Sequence, residues 1–141
     1  MSFLTIHRLR TVGSTNDEAR ALAEAGAPEG TCVVADEQTG GRARRGRSWA
    51  SPAGNVYVSL LLRPPGPIAA LTALSFVAAV AVGEALLTLS PSLPVAYKWP
   101  NDVLVGGKKI CGILLESGGS PPWVIAGIGL NLKHFPENTE W

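Results

Sequence analysis

Read for alternation of apolar and polar positions, the chain divides into short strand-like runs around two longer helical stretches. Residues 3–12 alternate in part, with Leu4 and Ile6 on one side and Thr5 and His7 on the other. This predicts a half-buried first strand with His7 on its surface. Ser14-Thr15-Asn16-Asp17-Glu18 then carries a helix-start signal, with Thr15 as N-cap and Glu18 as its capping-box partner. Gly26 and Pro28 end that helix. Residues 31–36 are β-branched and apolar and predict a second strand, with Gln38 just beyond it. Residues 55–63 predict a third strand, stopped by Pro64-Pro65-Gly66-Pro67.

Residues 68–89 are almost wholly apolar, which on hydropathy alone resembles a membrane span. Thr72, Ser75, Gly83 and Glu84 interrupt the run, and no Lys/Arg cluster flanks it, so a helix laid against a sheet fits better. Residues 95–99 predict a strand closed by a turn at Pro100-Asn101-Asp102. Gly106-Gly107 marks a hairpin between residues 103–105 and 108–116, and residues 123–132 predict a last strand. The elements form one long mixed sheet backed by two helices, an α+β arrangement without internal repeat or linker.

Composition changes this picture little. The chain has 141 residues, 46% of them hydrophobic, with a net charge of +1, which suits one soluble domain and not a polybasic nucleic-acid coat. No secretory pattern opens the chain, and Cys32 and Cys111 stand singly in apolar runs. Buried, reduced thiols and a cytoplasmic setting are the expectation.

Charge is concentrated in one place. Four of the eight arginines fall within Arg42-Ala43-Arg44-Arg45-Gly46-Arg47, preceded by Gly40-Gly41 and followed by Ser48-Trp49. Such a run is a solvated basic turn, a nucleic-acid contact, or a clamp on a phosphate or carboxylate. No G-x-x-x-x-G-K-[ST], G-x-S-x-G or paired Cys/His signature occurs, so neither P-loop binding nor an acyl-enzyme is indicated.

The basic loop is accompanied by Ser14-Thr15-Asn16, Lys98-Trp99-Pro100-Asn101-Asp102, Gly107-Lys108-Lys109-Ile110-Cys111-Gly112-Ile113-Leu114 and Gly127-Ile128-Gly129-Leu130-Asn131. In this order and spacing, from about residue 5 to about residue 135, the sequence resembles the catalytic domain of biotin protein ligases. The resemblance implies a class II aminoacyl-tRNA synthetase/biotin ligase-like fold. It also implies ATP-dependent activation of biotin to biotinyl-5'-AMP, with Mg²⁺, and transfer to a lysine of a biotin carboxyl-carrier protein or domain. A lipoate–protein ligase or octanoyl transferase, and a noncatalytic biotin-binding remnant, are the alternatives.

By the same resemblance Ser14, Thr15, Asn16, Gln38, Gly41, Arg42, Ala43, Arg44, Lys109 and Gly112 line the biotin site. Arg44, Arg45, Arg47, Lys98 and Asn131 fall on the nucleotide side, and Lys109, Arg44 and Arg47 carry the chemistry. Neighbouring strand residues face opposite ways, so one of Lys108 and Lys109 is expected to enter the site, and Lys109, three before Gly112, is chosen. Gly112, Gly127 and Gly129 are expected to let a flat bicyclic ring approach the sheet. The family usually has glycine where this chain has Ala43, which predicts strain there if the loop needs a left-handed backbone. Family members usually continue past residue 132 into a small β-barrel that helps cover ATP. The expectation is therefore a single catalytic domain over residues 1–141, incomplete at its C-terminus. It would have no helix-turn-helix, no DNA binding and no membrane contact, with a homodimer left open.

Overall fold

The structure, a computed structural model, describes residues 3–66 and 72–136. Its elements in chain order are β1 (Thr5–Val12), α1 (Thr15–Glu24), β2 (Thr31–Gln38), a 3-10 turn (Arg44–Gly46), β3 (Val56–Leu62), α2 (Thr72–Leu89), β4 (Val95–Lys98), β5 (Asp102–Val105), β6 (Lys108–Gly118) and β7 (Trp123–Leu130). Seven strands form one sheet in the order β1-β2-β3-β7-β6-β5-β4. β1 and β2 run parallel, joined through α1; the other pairings are antiparallel.

The two helices cover opposite faces. Ala19 and Ala23 of α1 pack with Val33, Leu61, Trp123 and Ile125. Ala79 and Leu86 of α2 pack with Val103, Cys111 and Ile113. The period-2 alternation thus divides each central strand: in β7, Trp123, Ile125, Gly127 and Gly129 share the α1 face, while Ile128 and Leu130 contribute to the α2 side. Helix α1 is only ten residues long, and beyond its N-terminus no helix among the described residues covers this face over β7, β6, β5 and β4. That gap is where the site forms.

Several expectations shift. Ile6 of β1 is 52% exposed and Leu4, just before the strand, 42%; Leu9 supplies the core contact instead, because β1 is an edge strand. Ser14, not Thr15, is the N-cap, and it makes no side-chain capping bond. The Thr15 side chain is withheld from capping by tertiary partners described below. Gly26 ends α1 at φ +87°, and Gly106 and Gly107 turn the β5–β6 hairpin at φ +59° and +79°. No helix among the described residues is long and apolar enough to cross a membrane; residues 68–71 of the expected second helix lie outside them.

Candidate active site

A cavity of about 290 Å³ opens on the α1 face. Ser14, Thr15, Asn16 and Gln38 form one wall; Arg42, Ala43, Arg44, Arg45 and Arg47 form its cover. Lys98, Asn101, Asp102, Lys109 and Gly112 form the floor and far side. Every sequence-predicted site residue except Gly41 and Asn131 lines this cavity. Gly41 is buried beneath the loop, where a Cβ would meet Ser51 Oγ and Trp49 O at 2.5 Å. Asn131 lines an adjoining hollow of about 420 Å³, shared with Arg47, Trp49, Lys98, Asp102 and Lys109.

The polar wall is fastened from behind. Thr15 N donates to Gln38 Oε1 (2.8 Å), Gln38 Nε2 donates to Ser51 Oγ (2.9 Å), and Ser51 Oγ donates to Trp49 O (2.9 Å). Gln38 thereby links the start of α1 to the far end of the basic loop. Gly127 lets Asn16 lie on β7, since a Cβ there would sit 2.3 Å from Asn16 Oδ1.

The arginines divide into two roles. Arg42 is neutralised within the protein: Nη1 donates to Asp17 Oδ2 (2.7 Å), and Nη2 donates to Asp17 Oδ1 (2.9 Å) and Glu116 Oε2 (3.0 Å). The bond from Arg42 holds the Asp17 carboxyl below its usual range, and the bond to Asp17 raises the Arg42 guanidinium. Arg42 is therefore the hinge pin of the loop, and its charge is already matched. Arg44 Nη1 donates to Asn101 Oδ1 (2.9 Å), while Arg45 and Arg47 are exposed at the cavity. With Lys98 and Lys109 they face a single lining carboxylate, Asp102, so the cavity attracts anions.

Ala43 has an ordinary extended backbone, φ −117° and ψ 179°, which removes the expected strain there. The left-handed conformations fall instead on Arg45 (φ 60°) and Gly46 (φ 71°). The loop is closed by backbone bonds from Ala43 N to Arg47 O (2.7 Å) and Trp49 N to Gly41 O (2.9 Å).

Lys109 enters the cavity and Lys108 is exposed. Lys109 Nζ lies 2.9 Å from Asp102 Oδ1 and 5.3 Å from the centre of the Trp49 ring. Trp49 also corrects the expectation for two glycines. The space above Gly112 and Gly129 holds the chain's own indole, since a Cβ would meet it at 3.1 Å and 2.5 Å. Two buried donors beside the second hollow, Trp49 Nε1 and Asn131 Nδ2, have no partner among the described residues.

Sequence reasoning gave Asp17, Ser59 and Glu116 no part in the site and read Asp102 only as a turn residue within a motif. A signal existed for two of them. Ser59 is the one polar residue inside an apolar strand, and Glu116 shares its parity with Gly112 and Leu114, which line the cavity.

Comparison with known proteins identifies the family. Residues 9–132 match the model of the Biotin/lipoate A/B protein ligase family. The chain is 51% identical over 133 residues to the biotin–[acetyl-CoA-carboxylase] ligase of Paracoccus denitrificans, covering 92% of this chain and 55% of that protein. It is 44% identical over 131 residues to the bifunctional ligase/repressor BirA of Bacillus subtilis, covering 90% and 40%. The biotin protein ligase of Aquifex aeolicus in complex with biotin and ATP superposes with a TM-score of 0.79 at 37% identity, covering 94% of this chain and 55% of that one. The Leishmania major enzyme in complex with biotin gives 0.82 at 37% identity, covering 94% and 58%. The chain thus spans about half the length of the relatives it matches, and its seven-stranded sheet with two helices has the biotin-ligase form of the class II synthetase-like fold. Sequence and fold together place this chain in the biotin/lipoate A/B protein ligase family.

Proposed function

We propose that the cavity binds biotin and, within the whole protein, joins it to the α-phosphate of ATP to give biotinyl-5'-AMP and pyrophosphate. The biotinyl group then passes to a lysine amine of a biotin carboxyl-carrier domain, releasing AMP. The observation that carries this reading is the polarity of the cavity: a neutral hydrogen-bonding wall at Ser14, Thr15, Asn16 and Gln38 faces a cationic side at Arg44, Arg45, Arg47, Lys98 and Lys109. A molecule with an uncharged polar ring at one end and a carboxylate at the other matches that division.

The chemistry asks little of general bases, because a carboxylate is already a nucleophile at neutral pH. Two anions must be brought together and the charge developing at phosphorus offset. Lys109 is suited to this, held by Asp102 between the two hollows, with Arg44 and Arg47 on the loop above. Asn131, Lys98 and Arg47 line the second hollow, which supports reading it as the nucleotide side. Asp102 is the one carboxylate among the lining residues, and with Oδ1 taken by Lys109 it would offer Mg²⁺ only Oδ2, the remaining ligands coming from substrate phosphates. When bound, Mg²⁺ would offset phosphate charge. Action on a carrier domain and two buried reduced thiols suit a cytoplasmic setting.

Calorimetry of this chain with biotin, lipoate and RNA tests the reading. Heat and a thermal shift with biotin alone are expected. Absence of both signals at millimolar biotin would overturn it, and a response to lipoate instead would transfer the site to lipoate chemistry.

A further inference from the structure

Behind the polar wall lies a chain of hydrogen bonds whose direction is set by one carboxylate. Ser59 of β3, fully buried, has its hydroxyl 2.5 Å from Asn16 Oδ1 and 2.7 Å from Thr15 Oγ1. Thr15 Oγ1 in turn lies 3.1 Å from Gln38 Oε1. Two hydroxyls thus share three contacts, and each has one hydrogen to give.

Asn16 decides how they are shared. Its Nδ2 donates to Glu116 Oε2 (2.7 Å), and the carboxylate, held between Arg20 and Arg42, only accepts. The amide is therefore turned with Oδ1 towards Ser59, and Oδ1 also only accepts. Ser59 must donate to it, so Ser59 accepts from Thr15, and the hydrogen of Thr15 is withdrawn from Gln38. The two shorter contacts carry hydrogens and the longest does not. Gln38 Oε1 is satisfied by Thr15 N at 2.8 Å. What this leaves for the cavity is fixed: a lone pair on Thr15 Oγ1, and one amide hydrogen each on Asn16 and Gln38.

We propose that Glu116 and Ser59 are positioning residues for ligand binding, which set the donor and acceptor pattern of the wall through Asn16 and Thr15. The proposal rests on the biotin reading, since a cyclic urea, with one carbonyl and two N–H groups, is a ligand for which that pattern matters. Neither residue lines the cavity, so neither acts by touching the ligand. Glu116 has a second consequence: it binds Arg42 as well as Asn16, so the same carboxylate orients the wall and ties down the loop that covers it.

The test is a coupling cycle in biotin affinity, measured by calorimetry on this chain. Glu116→Gln keeps shape but lets the side chain donate, so Asn16 loses its fixed orientation; Ser59→Ala removes the link to Thr15. Each is expected to weaken biotin about tenfold, the scale of one hydrogen bond to a charged group. The double variant should be little worse than either single one, because both break the same chain. Arg20→Met removes an equally short contact to Glu116 outside that chain and is expected to stay within about twofold. Full affinity in Glu116→Gln, additive losses in the double variant, or an equal loss in Arg20→Met would overturn the proposal. A wild-type chain that does not bind biotin would instead overturn the reading beneath it.

Discussion

Lys109 and Gly112 lie on the same face of β6 although they are three residues apart: a Cβ built on Gly112 would be 3.5 Å from Lys109 Cε. Regular alternation would place Lys108, not Lys109, beside Gly112. The register supplies the reason. Val103 pairs with Cys111 but the next residue, Leu104, pairs with Lys109, so Ile110 is an extra residue in a β-bulge. Ile110 and Cys111 both turn to the α2 side, and Lys109 swings to the cavity and to Asp102.

If that lysine meets both the carboxylate and the α-phosphate, its charge is used mostly in the transition state. Lys109→Ala is then expected to cut biotin-dependent exchange of pyrophosphate into ATP by roughly 10²–10³-fold, on the scale of losing one oxyanion-stabilising donor, while biotin affinity changes far less. Lys108→Ala should leave exchange near wild type. The comparison belongs in a protein that spans the full length of the relatives, of which this chain covers about half, and equal losses in the two variants would refute the assignment.

The bulge also marks where the sequence stopped being legible. Strand and helix positions followed from alternation and from Gly and Pro punctuation, and all seven strands lie within a few residues of where the pattern put them. The cationic side of the cavity was legible too, because charge clustered in one loop is visible without a fold. What could not be read was which charges are already matched. Arg42 belongs to the same run as Arg44, yet it is held by Asp17 and Glu116, residues 25 and 74 positions away in the chain. The occupant of the space over Gly112 and Gly129 was equally hidden, because glycine marks a close approach without saying what approaches.

Ala43 and Arg45 reverse the simplest expectation for the loop. With Ala43 extended, Ala43→Gly has no strain to relieve and should destabilise by up to about 1 kcal/mol through the freer unfolded chain. Arg45→Gly sits at φ 60° and should stabilise by a similar amount. Chemical denaturation of the two variants checks the signs, and a gain in Ala43→Gly would contradict the extended backbone.

Gly129→Ala forces a methyl to within 2.5 Å of Trp49 Nε1. The indole must move or the strand must shift, at a cost of roughly 1–3 kcal/mol typical of overpacking. Because Trp49 also carries Lys109 over its ring, exchange activity should fall together with stability. A changed near-ultraviolet dichroism with unchanged far-ultraviolet signal would report the displaced ring, and a variant indistinguishable from wild type would show that the ring is not seated on Gly129.

Asp17 provides a pH dependence with a definite sign. Its bond from Arg42 lowers the folded carboxyl below the ordinary 3.8, so its contribution is fully present above 3.8 and is lost as pH falls through the folded value. The side chain is about half exposed (48%), which limits the effect to roughly 0.2–1 kcal/mol. Asp17→Asn should therefore be slightly less stable than wild type near neutral pH, and the difference should close in acid. A gap that widened below 3.8 would mean that another group carries the dependence.

Cys111 tests the packing on the opposite face. It is fully buried between α2 and the β5–β6 pair, and burial pushes its thiol up to about 12, only partly countered by the charge of Lys109 nearby. Disulfide reagents attack the thiolate, whose fraction at pH 8 is then on the order of 10⁻⁴. Cys32 is also buried, and its thiol is raised for the same reason. Native protein should therefore resist an aromatic disulfide reagent near pH 8, and denaturant should expose both thiols together. Labelling of the native chain should follow global unfolding, speeding in step with variants such as Gly129→Ala that lower stability. Rapid stoichiometric modification of native Cys111 would show that the α2 face opens locally and that the floor beneath Lys109 is not the closed core described above.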